Sequence, residues 1–190
     1  MATIRIADAA DCDKVGALQV KAWLETYRGL VADTVLDTLS TVDQAASWRR
    51  ILVRDPQAVL AVAESGDGRL VGFAGGGARR GSRVPHDGEI YAIYVLGAAQ
   101  RQGLGRALMM AAARGLRERG FKSLCLWVLR DNLPARQFYE RLGGQAVGEK
   151  TDSMGGKPLA EVAYGWDDLD EFLAQLSRPA DCSLPGLRGT

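Results

Sequence analysis

Histidine and cysteine are scarce in this chain, which has one histidine and three cysteines among its 190 residues. The cysteines Cys12, Cys125 and Cys182 lie far apart and form no CxxC pair, so the sequence indicates neither a zinc site nor a disulfide framework. We therefore expect no bound metal. A chain whose cysteines stay reduced fits the cytoplasm best.

The chain has no excess of positive or negative charge, because its 24 Lys and Arg residues are balanced by 23 Asp and Glu residues. Such a balance gives no general attraction for nucleic acid or for an anionic membrane. No apolar run approaches the roughly 20 residues of a membrane-spanning helix. The acidic start, with Asp8, Asp11 and Asp13, lacks the basic end and apolar stretch of a signal peptide. We expect a soluble, cytoplasmic protein without nucleic-acid or membrane partners.

Hydrophobic periodicity predicts strands and helices that alternate in the middle of the chain, with antiparallel hairpins on both sides. A strand at Ile4 and Ile6 precedes a helix after Asp11, and the tail 177–190 has too many Pro, Gly and Ser residues for regular structure. These elements predict an α/β (α+β mixed) fold, with one domain around a mixed sheet. Further strands are predicted at 58–64, 70–80, 89–96, 123–129, 145–152 and 159–167, and further helices at 41–55, 104–120, 133–144 and 168–176.

The segment YVLGAAQRQGLGRALM, which starts at Tyr94, joins a predicted strand to a predicted helix. The first N–H groups of a helix lack intrahelical partners, and glycine lets a phosphate approach the backbone. Gly103 and Gly105 therefore predict a cradle for a diphosphate. Alternatively, these glycines serve a tight turn and close helix packing. We expect the donors of the cradle at Gln102, Gly103, Leu104, Gly105, Arg106 and Ala107, with side-chain charge from Arg101 and Arg106.

This segment resembles the acetyl-CoA signature [QR]xxGx[GA] of the GNAT superfamily of N-acetyltransferases, with Gln100, Gly103 and Gly105 in its three positions. The stretch LWVLRDNLPARQFYERLGG is similar to the family's following strand and helix. Gly97 and Arg101 depart from the residues common at their positions. The resemblance implies a GNAT acyl-CoA N-acyltransferase fold over 1–168, with a central, mostly antiparallel mixed sheet flanked by helices. A C-terminal helix and irregular tail would occupy 169–190.

The resemblance also implies an activity, the transfer of an acetyl group from acetyl-CoA to a primary amine. Transfer would be direct, in a ternary complex, and the acceptor would be a small amine or an amino group of a peptide or protein. A homodimer is possible, because many relatives pair through late strands. The alternative is a non-catalytic module that senses acyl-CoA or binds a partner. Four acidic residues are open candidates to attract a cationic acceptor: Glu25, Asp33, Asp37 and Glu161.

Residue roles around the donor also follow from the resemblance. Tyr139 would be the general acid that protonates the leaving thiolate, and Asn132 would bind the cofactor arm. The backbone N–H of Tyr94 or Val95, near a bulge at the end of the central strand, would hold the thioester carbonyl. The alternative for Tyr139 is a core aromatic residue beside Phe138. The alternative for Asn132 is a helix cap, which is compatible with cofactor binding.

Roles on the acceptor side are implied for residues of the central strand and the first helix. Glu89 would deprotonate the amine, directly or through water, and Tyr91 on the same face would line the acceptor pocket. The alternative for Glu89 is a solvated residue at a strand end. Trp23 and Tyr27 are spaced by one helical turn and would form part of the acceptor wall, although packing explains them equally well. His86 ranks behind Glu89 as a base, because a lone loop histidine is more often on the surface.

Overall fold

A computed structural model describes residues 2–81 and 83–178. Of the helices in these residues, none has both the length and the apolar character needed to cross a membrane. The described strands are β1 (Thr3–Ile6), β2 (Val59–Glu64), β3 (Leu70–Ala78), β4 (Gly88–Val95), β5 (Leu124–Leu129), β6 (Gln145–Met154) and β7 (Lys157–Trp166). The described helices are α1 (Cys12–Tyr27), α2 (Asp33–Leu36), α3 (Thr41–Arg54), α4 (Leu104–Glu118), α5 (Leu133–Arg141) and α6 (Leu169–Ser177).

The strands form one sheet in the order β1-β2-β3-β4-β5-β7-β6. Pairing within it is antiparallel except between β4 and β5, which run parallel. A parallel pair needs a crossover, and α4 provides it. The expectation of a mostly antiparallel mixed sheet flanked by helices is confirmed.

The parallel pairing of β4 with β5 is short. It joins three residue pairs and ends at Ile90 and Leu126, so the strands separate beyond that point. On its other side β4 has a bulge, because Ala92 pairs with Gly75 and Ile90 pairs with Gly76, which leaves Tyr91 as the extra residue. The bulge thus lies at Tyr91, earlier than the predicted position near Tyr94 and Val95.

Close packing around β3 explains the place of this bulge. A Cβ atom on Gly75 would clash with the ring of Trp48, and one on Gly76 would clash with the carbonyl oxygen of Glu89. The two glycines let α3 and β4 approach β3 from opposite directions. The bulge therefore depends on contacts between segments that are distant in sequence.

Helices cover both faces of the sheet. On one face α1 and α3 pack against β2 and β3 around Phe73 and Trp48. On the other face α4, α5 and α6 share a core, to which α6 contributes Leu169, Phe172 and Leu176. The helix predicted to follow the domain is thus packed into its core. The domain boundary at 168 stays a prediction, and residues 179–190 of the predicted irregular tail lie outside the described residues.

Candidate functional site

The separation of β4 from β5 opens a pocket of about 1000 Å³. Residues Ile90–Val95 of β4 line one wall and residues Leu126–Val128 of β5 line the other. The last turn of α1, the start of α4 and one face of α5 complete it. Although β4 is the middle strand of the sheet, its residues from Tyr91 to Val95 are half-buried, because the pocket lies beside them.

The start of α4 presents a run of backbone donors to this pocket. Arg101 and Gly103 have left-handed backbone conformations, with φ of 60° and 79°. Within the described residues, no acceptor is placed for the N–H groups from Arg101 to Arg106. The N–H of Ala107 donates to the Gly103 carbonyl at 3.0 Å, so Ala107 is not among the free donors as predicted. Six consecutive free N–H groups at a helix start suit an anion.

The two signature glycines have different structural reasons. A Cβ atom on Gly103 would touch nothing within 4 Å, so its left-handed φ is what favours glycine there. A Cβ atom on Gly105 would lie 3.3 Å from Cζ of Phe138, so Gly105 permits close packing of α4 on α5. The structural alternative for these glycines is therefore confirmed, and it is compatible with the predicted anion binding, which stays a prediction.

Arg101 and Arg106, the two arginines predicted at the cofactor site, both line the pocket. Arg106 Nη2 donates to the carbonyls of Gln175, Leu176 and Arg178 at 2.7 to 3.3 Å, so its charge is committed to the end of α6. Arg101 is exposed and lines the pocket. Arg141, at the end of α5, also lines it. No local pattern in the sequence had singled out Arg141.

Two side chains hold the turn between β4 and α4. Gln100 Nε2 donates to the Val95 carbonyl at 2.9 Å, which gives this signature residue a structural role. Glu25 Oε2 accepts from the Gly97 N–H at 2.9 Å, so α1 stabilises the turn where the family often has proline. Among the four acidic candidates, Glu25 lines the pocket.

Tyr139 lies in α5 and reaches the pocket from the face of α4 and α6. Its ring centroid is 5.4 Å from that of Phe138 and 5.9 Å from that of Tyr164. Burial raises the pKa of its hydroxyl well above the ordinary value, so the phenol is protonated at neutral pH. No described group is placed to hydrogen-bond this hydroxyl, and Tyr139 lines the pocket. The O–H is therefore available to a ligand.

Asn132 caps α5 and also lines the pocket. Its Oδ1 accepts from the Ala135 N–H at 3.3 Å, which satisfies one donor at the helix start. The side chain is buried, and its NH₂ group remains available to a ligand in the pocket. Both predicted roles of Asn132 are thus geometrically compatible.

Tyr27 and Tyr94 form an aromatic wall of the pocket on the side of α1. Tyr27 Oη lies 2.9 Å from Tyr94 Oη, and both residues line the pocket. The rings of Trp23 and Tyr27 meet edge to face with centroids 5.1 Å apart, which confirms their shared aromatic face. Trp23 packs behind Tyr27 and is not part of the lining. Burial raises the pKa of Tyr27 and of Tyr94, so both hydroxyls stay neutral.

Glu89 lies behind the pocket wall rather than in it. Its carboxylate is buried and accepts three hydrogen bonds from Arg80, a residue that sequence reasoning missed. The solvated alternative for Glu89 is therefore wrong. Tyr91, the next residue but one, does line the pocket, and its hydroxyl donates to the Ala78 carbonyl at 2.6 Å. Its role in acceptor binding and the role of Glu89 as a base stay predictions.

His86 is buried, contrary to the expectation of a surface residue. Its ring packs against Gly165, where a Cβ atom would clash with it. Its Nε2 lies 3.0 Å from Oδ1 of Asp167, at the end of β7. His86 is not part of the pocket lining. Among the described residues, no group of three or more His, Cys, Asp or Glu is arranged to hold a metal ion.

Known proteins resemble this chain in sequence and in fold. The acetyltransferase (GNAT) family model matches residues 13–144. The uncharacterized N-acetyltransferase YuaI of Bacillus subtilis (strain 168) is 34% identical over 178 residues, which are 94% of this chain and 100% of that protein. The chain belongs to the GNAT acetyltransferase family. It is therefore an enzyme, an N-acetyltransferase that uses acetyl-CoA.

Solved structures of the GNAT family have the same fold. The structure of yncA from Salmonella typhimurium, with its cofactor acetyl-CoA, has a TM-score of 0.67 at 22% identity and covers 90% of this chain and 95% of that one. The PaiA N-acetyltransferase from Thermoplasma acidophilum, in complex with coenzyme A, has a TM-score of 0.62 at 18% identity, with 85% and 98% covered. These likenesses confirm the predicted fold.

Proposed function

We propose that the protein transfers the acetyl group of acetyl-CoA directly to a primary amine, within a ternary complex. The observation that carries this proposal is that one pocket joins the free N–H groups of α4, the Tyr139 hydroxyl and the aromatic wall of α1. Donor and acceptor therefore have room in one continuous site. The acceptor is a small amine or an amino group of a peptide or protein.

The cysteines favour direct transfer over an acetylated enzyme. Cys12 and Cys125 are both buried and do not line the pocket. Burial raises the pKa of the Cys125 thiol to about 12, which keeps it protonated and a poor nucleophile. Cys182 lies outside the described residues.

The residues at the pocket fit acetyl-CoA. The free N–H groups between Arg101 and Arg106 suit its diphosphate, and the separated edges of β4 and β5 offer backbone groups to its extended arm. In our proposal Asn132 binds that arm, and the N–H of Tyr94 or Val95 holds the thioester carbonyl. Acetyl-CoA supplies an activated acyl group, and the protein holds and orients it.

Proton transfer completes the reaction. The amine forms the new C–N bond while the C–S bond breaks, the amine loses one proton, and the departing sulfur takes one from the Tyr139 hydroxyl. The Tyr139 phenol is protonated at neutral pH, so it has a proton to donate as the thiolate develops beside it. The phenolate then regains a proton from solvent or from the amine.

An assay of free thiol tests this proposal. With acetyl-CoA and a panel of small amines and peptides, thiol release should depend on the amine, and mass spectrometry should find the acetylated product. Tyr139→Phe should lower kcat by about a hundredfold or more, since general acids typically contribute that much. The matched control is Tyr164→Phe, which removes a hydroxyl from the same aromatic cluster away from the pocket. Equal kcat values for the two variants would contradict the role of Tyr139.

A further inference from the structure

Arg80 is held against Tyr91, a residue of the pocket lining, although Arg80 itself is not part of that lining. Its backbone N–H donates to Glu89 Oε2 at 2.8 Å, and its Nε and Nη2 donate to Glu89 Oε1 at 3.1 and 2.7 Å. Its Cζ lies 4.0 Å from the centre of the Tyr91 ring. A guanidinium fixed by a carboxylate on one edge and by a ring on one face loses little freedom when it binds a ligand.

Tyr91 places this guanidinium on the acceptor side. It is the bulged residue of β4, just past the last pair with β5, and it lines the pocket. Its hydroxyl is fixed to the Ala78 carbonyl, so the ring is anchored at both ends. The ring packs with the cluster of α1 and α3, the face that also carries Tyr27 and Tyr94.

Within residues 2–81 and 83–178, some hydrogen-bond donors of the Arg80 side chain have no acceptor. A guanidinium has five N–H groups, and Glu89 occupies one on Nε and one on Nη2. The side chain of Arg80 is 61% exposed, whereas that of Glu89 is 3% exposed, so the unused donors are accessible and the carboxylate is not. The remaining N–H groups of the guanidinium can form paired hydrogen bonds with a second carboxylate. Asp55, the other carboxylate near Tyr91, has its Oδ1 bonded to the Gln57 N–H.

We propose that Arg80 binds an anionic group, in the first place a carboxylate, on the amine acceptor. Glu89 is then the positioning residue that holds Arg80 against Tyr91, instead of the base that the sequence suggested. The inference rests on the proposed function, because it names the class of acceptor for that reaction. It accounts for both the burial of Glu89 and its absence from the pocket lining.

Matched acceptor pairs test the inference. One pair is a dipeptide with a free carboxyl terminus and the same dipeptide amidated, and another is 4-aminobutyrate and butylamine. Within each pair the reacting amine is similar and the carboxylate is the main difference. The wild type should prefer the carboxylate-bearing member in kcat/KM by about tenfold or more, the range of a charge-assisted hydrogen bond. Arg80→Gln should bring that ratio close to one, and Arg80→Lys should restore part of it.

Two further variants separate positioning from general structural effects. Arg83→Gln removes the same charge from the same loop at another exposed position and should keep the preference. Glu89→Gln should raise KM for the carboxylate-bearing acceptor by more than it lowers kcat. A collapse of kcat with both members of a pair would instead identify Glu89 as the base and overturn its positioning role.

The remaining outcomes distinguish this inference from the proposed function. Turnover without a preference for the carboxylate, or a preference that survives in Arg80→Gln, would overturn the role of Arg80 alone. No turnover with any amine would overturn the proposed function, and this inference with it. Circular dichroism and binding of acetyl-CoA show that each variant is folded.

Discussion

Gly103 shows how one residue serves both the backbone and the ligand. Gly103 precedes α4 with a φ of 79°, a conformation that residues with a Cβ atom adopt only at a cost in free energy. Because glycine has no side chain, the neighbouring N–H groups remain accessible. Arg101 adopts a similar φ without being glycine, so the loop already contains one unfavourable backbone conformation. The loop therefore has left-handed backbone conformations at two positions, next to the donors of the proposed diphosphate site.

Gly103→Ala should accordingly destabilise the protein by about 1 kcal/mol, the cost of a Cβ in a left-handed conformation. For a chain of this size, that corresponds to a fall of about 2 to 4 °C in Tm. KM for acetyl-CoA should rise, because the added methyl group sits beside the anion-binding donors. Thermal denaturation and initial-rate kinetics measure the two effects. The control is Gly66→Ala, at a turn without a positive φ and with open space, and equal effects of the two changes would contradict this reading.

At the scale of elements, Arg106 links the start of α4 to the end of α6. Three carbonyls at the last turn of α6 accept from one Nη2, where a helix lacks partners for its carbonyls and favours positive charge. The same helix α4 that begins at the candidate diphosphate site therefore also holds the C-terminal helix in place.

Arg106→Gln should lower the free energy of unfolding by about 1 to 2 kcal/mol, because charge-assisted hydrogen bonds in a half-buried position are lost. Urea denaturation monitored by circular dichroism measures this change. Arg101→Gln is the matched comparison, since Arg101 is exposed and should affect KM for acetyl-CoA while leaving stability close to wild type. If Arg106→Gln instead changed KM for acetyl-CoA and left stability close to wild type, the result would support the direct cofactor contact predicted from sequence.

Elements that depend on local pattern were predictable, and those that depend on distant contacts were not. Periodicity located all seven described strands and the longer helices, whereas α2 has four residues and leaves no periodic signal. The bulge at Tyr91 lies opposite Gly75 and Gly76, where Trp48 and the Glu89 carbonyl leave no room for a Cβ atom.

In the candidate site, too, the residues within a local motif were predictable and those that depend on distant contacts were not. The signature residues and the pair Asn132 and Tyr139 carry a local motif, and the structure brings them to one pocket. The bonds of Arg106 Nη2 to carbonyls 69 to 72 residues away were not predictable from a single sequence, and its role at the phosphate stays a prediction. Arg80 and the burial of His86 likewise depend on pairing between the 79–87 loop and separate strands, which a single sequence does not reveal.

At the scale of the whole molecule, α6 is part of the core and not an appendage. Leu169, Phe172 and Leu176 are buried, and the ring centroid of Phe172 lies 4.9 Å from that of Trp166. Arg117 adds two hydrogen bonds to Asp170 on the outer side. These contacts favour a cooperative unit that includes α6, while the boundary at 168 stays a prediction.

A chain that ends at residue 168 should consequently be destabilised by about 5 kcal/mol or more, since burial of each large apolar side chain contributes about 1.5 to 3 kcal/mol. We expect a broad, weakly cooperative thermal transition for it. A chain that ends at residue 178 keeps α6 and should unfold like the full-length protein. Similar transitions for both shortened chains would support the boundary at 168. The homodimer stays a prediction, which sedimentation velocity of the full-length protein tests.

The short parallel pairing also has a mechanical consequence. In the described sheet it leaves four strands on one side and three on the other, joined through the three residue pairs that begin at Gly88 and Leu124. Tension applied between β1 and β6 would act on all the strand interfaces in series, and the one between β4 and β5 has the fewest residue pairs. In single-molecule pulling, the first rupture should therefore part the sheet along this line, and a ligand that spans both strands should raise the rupture force.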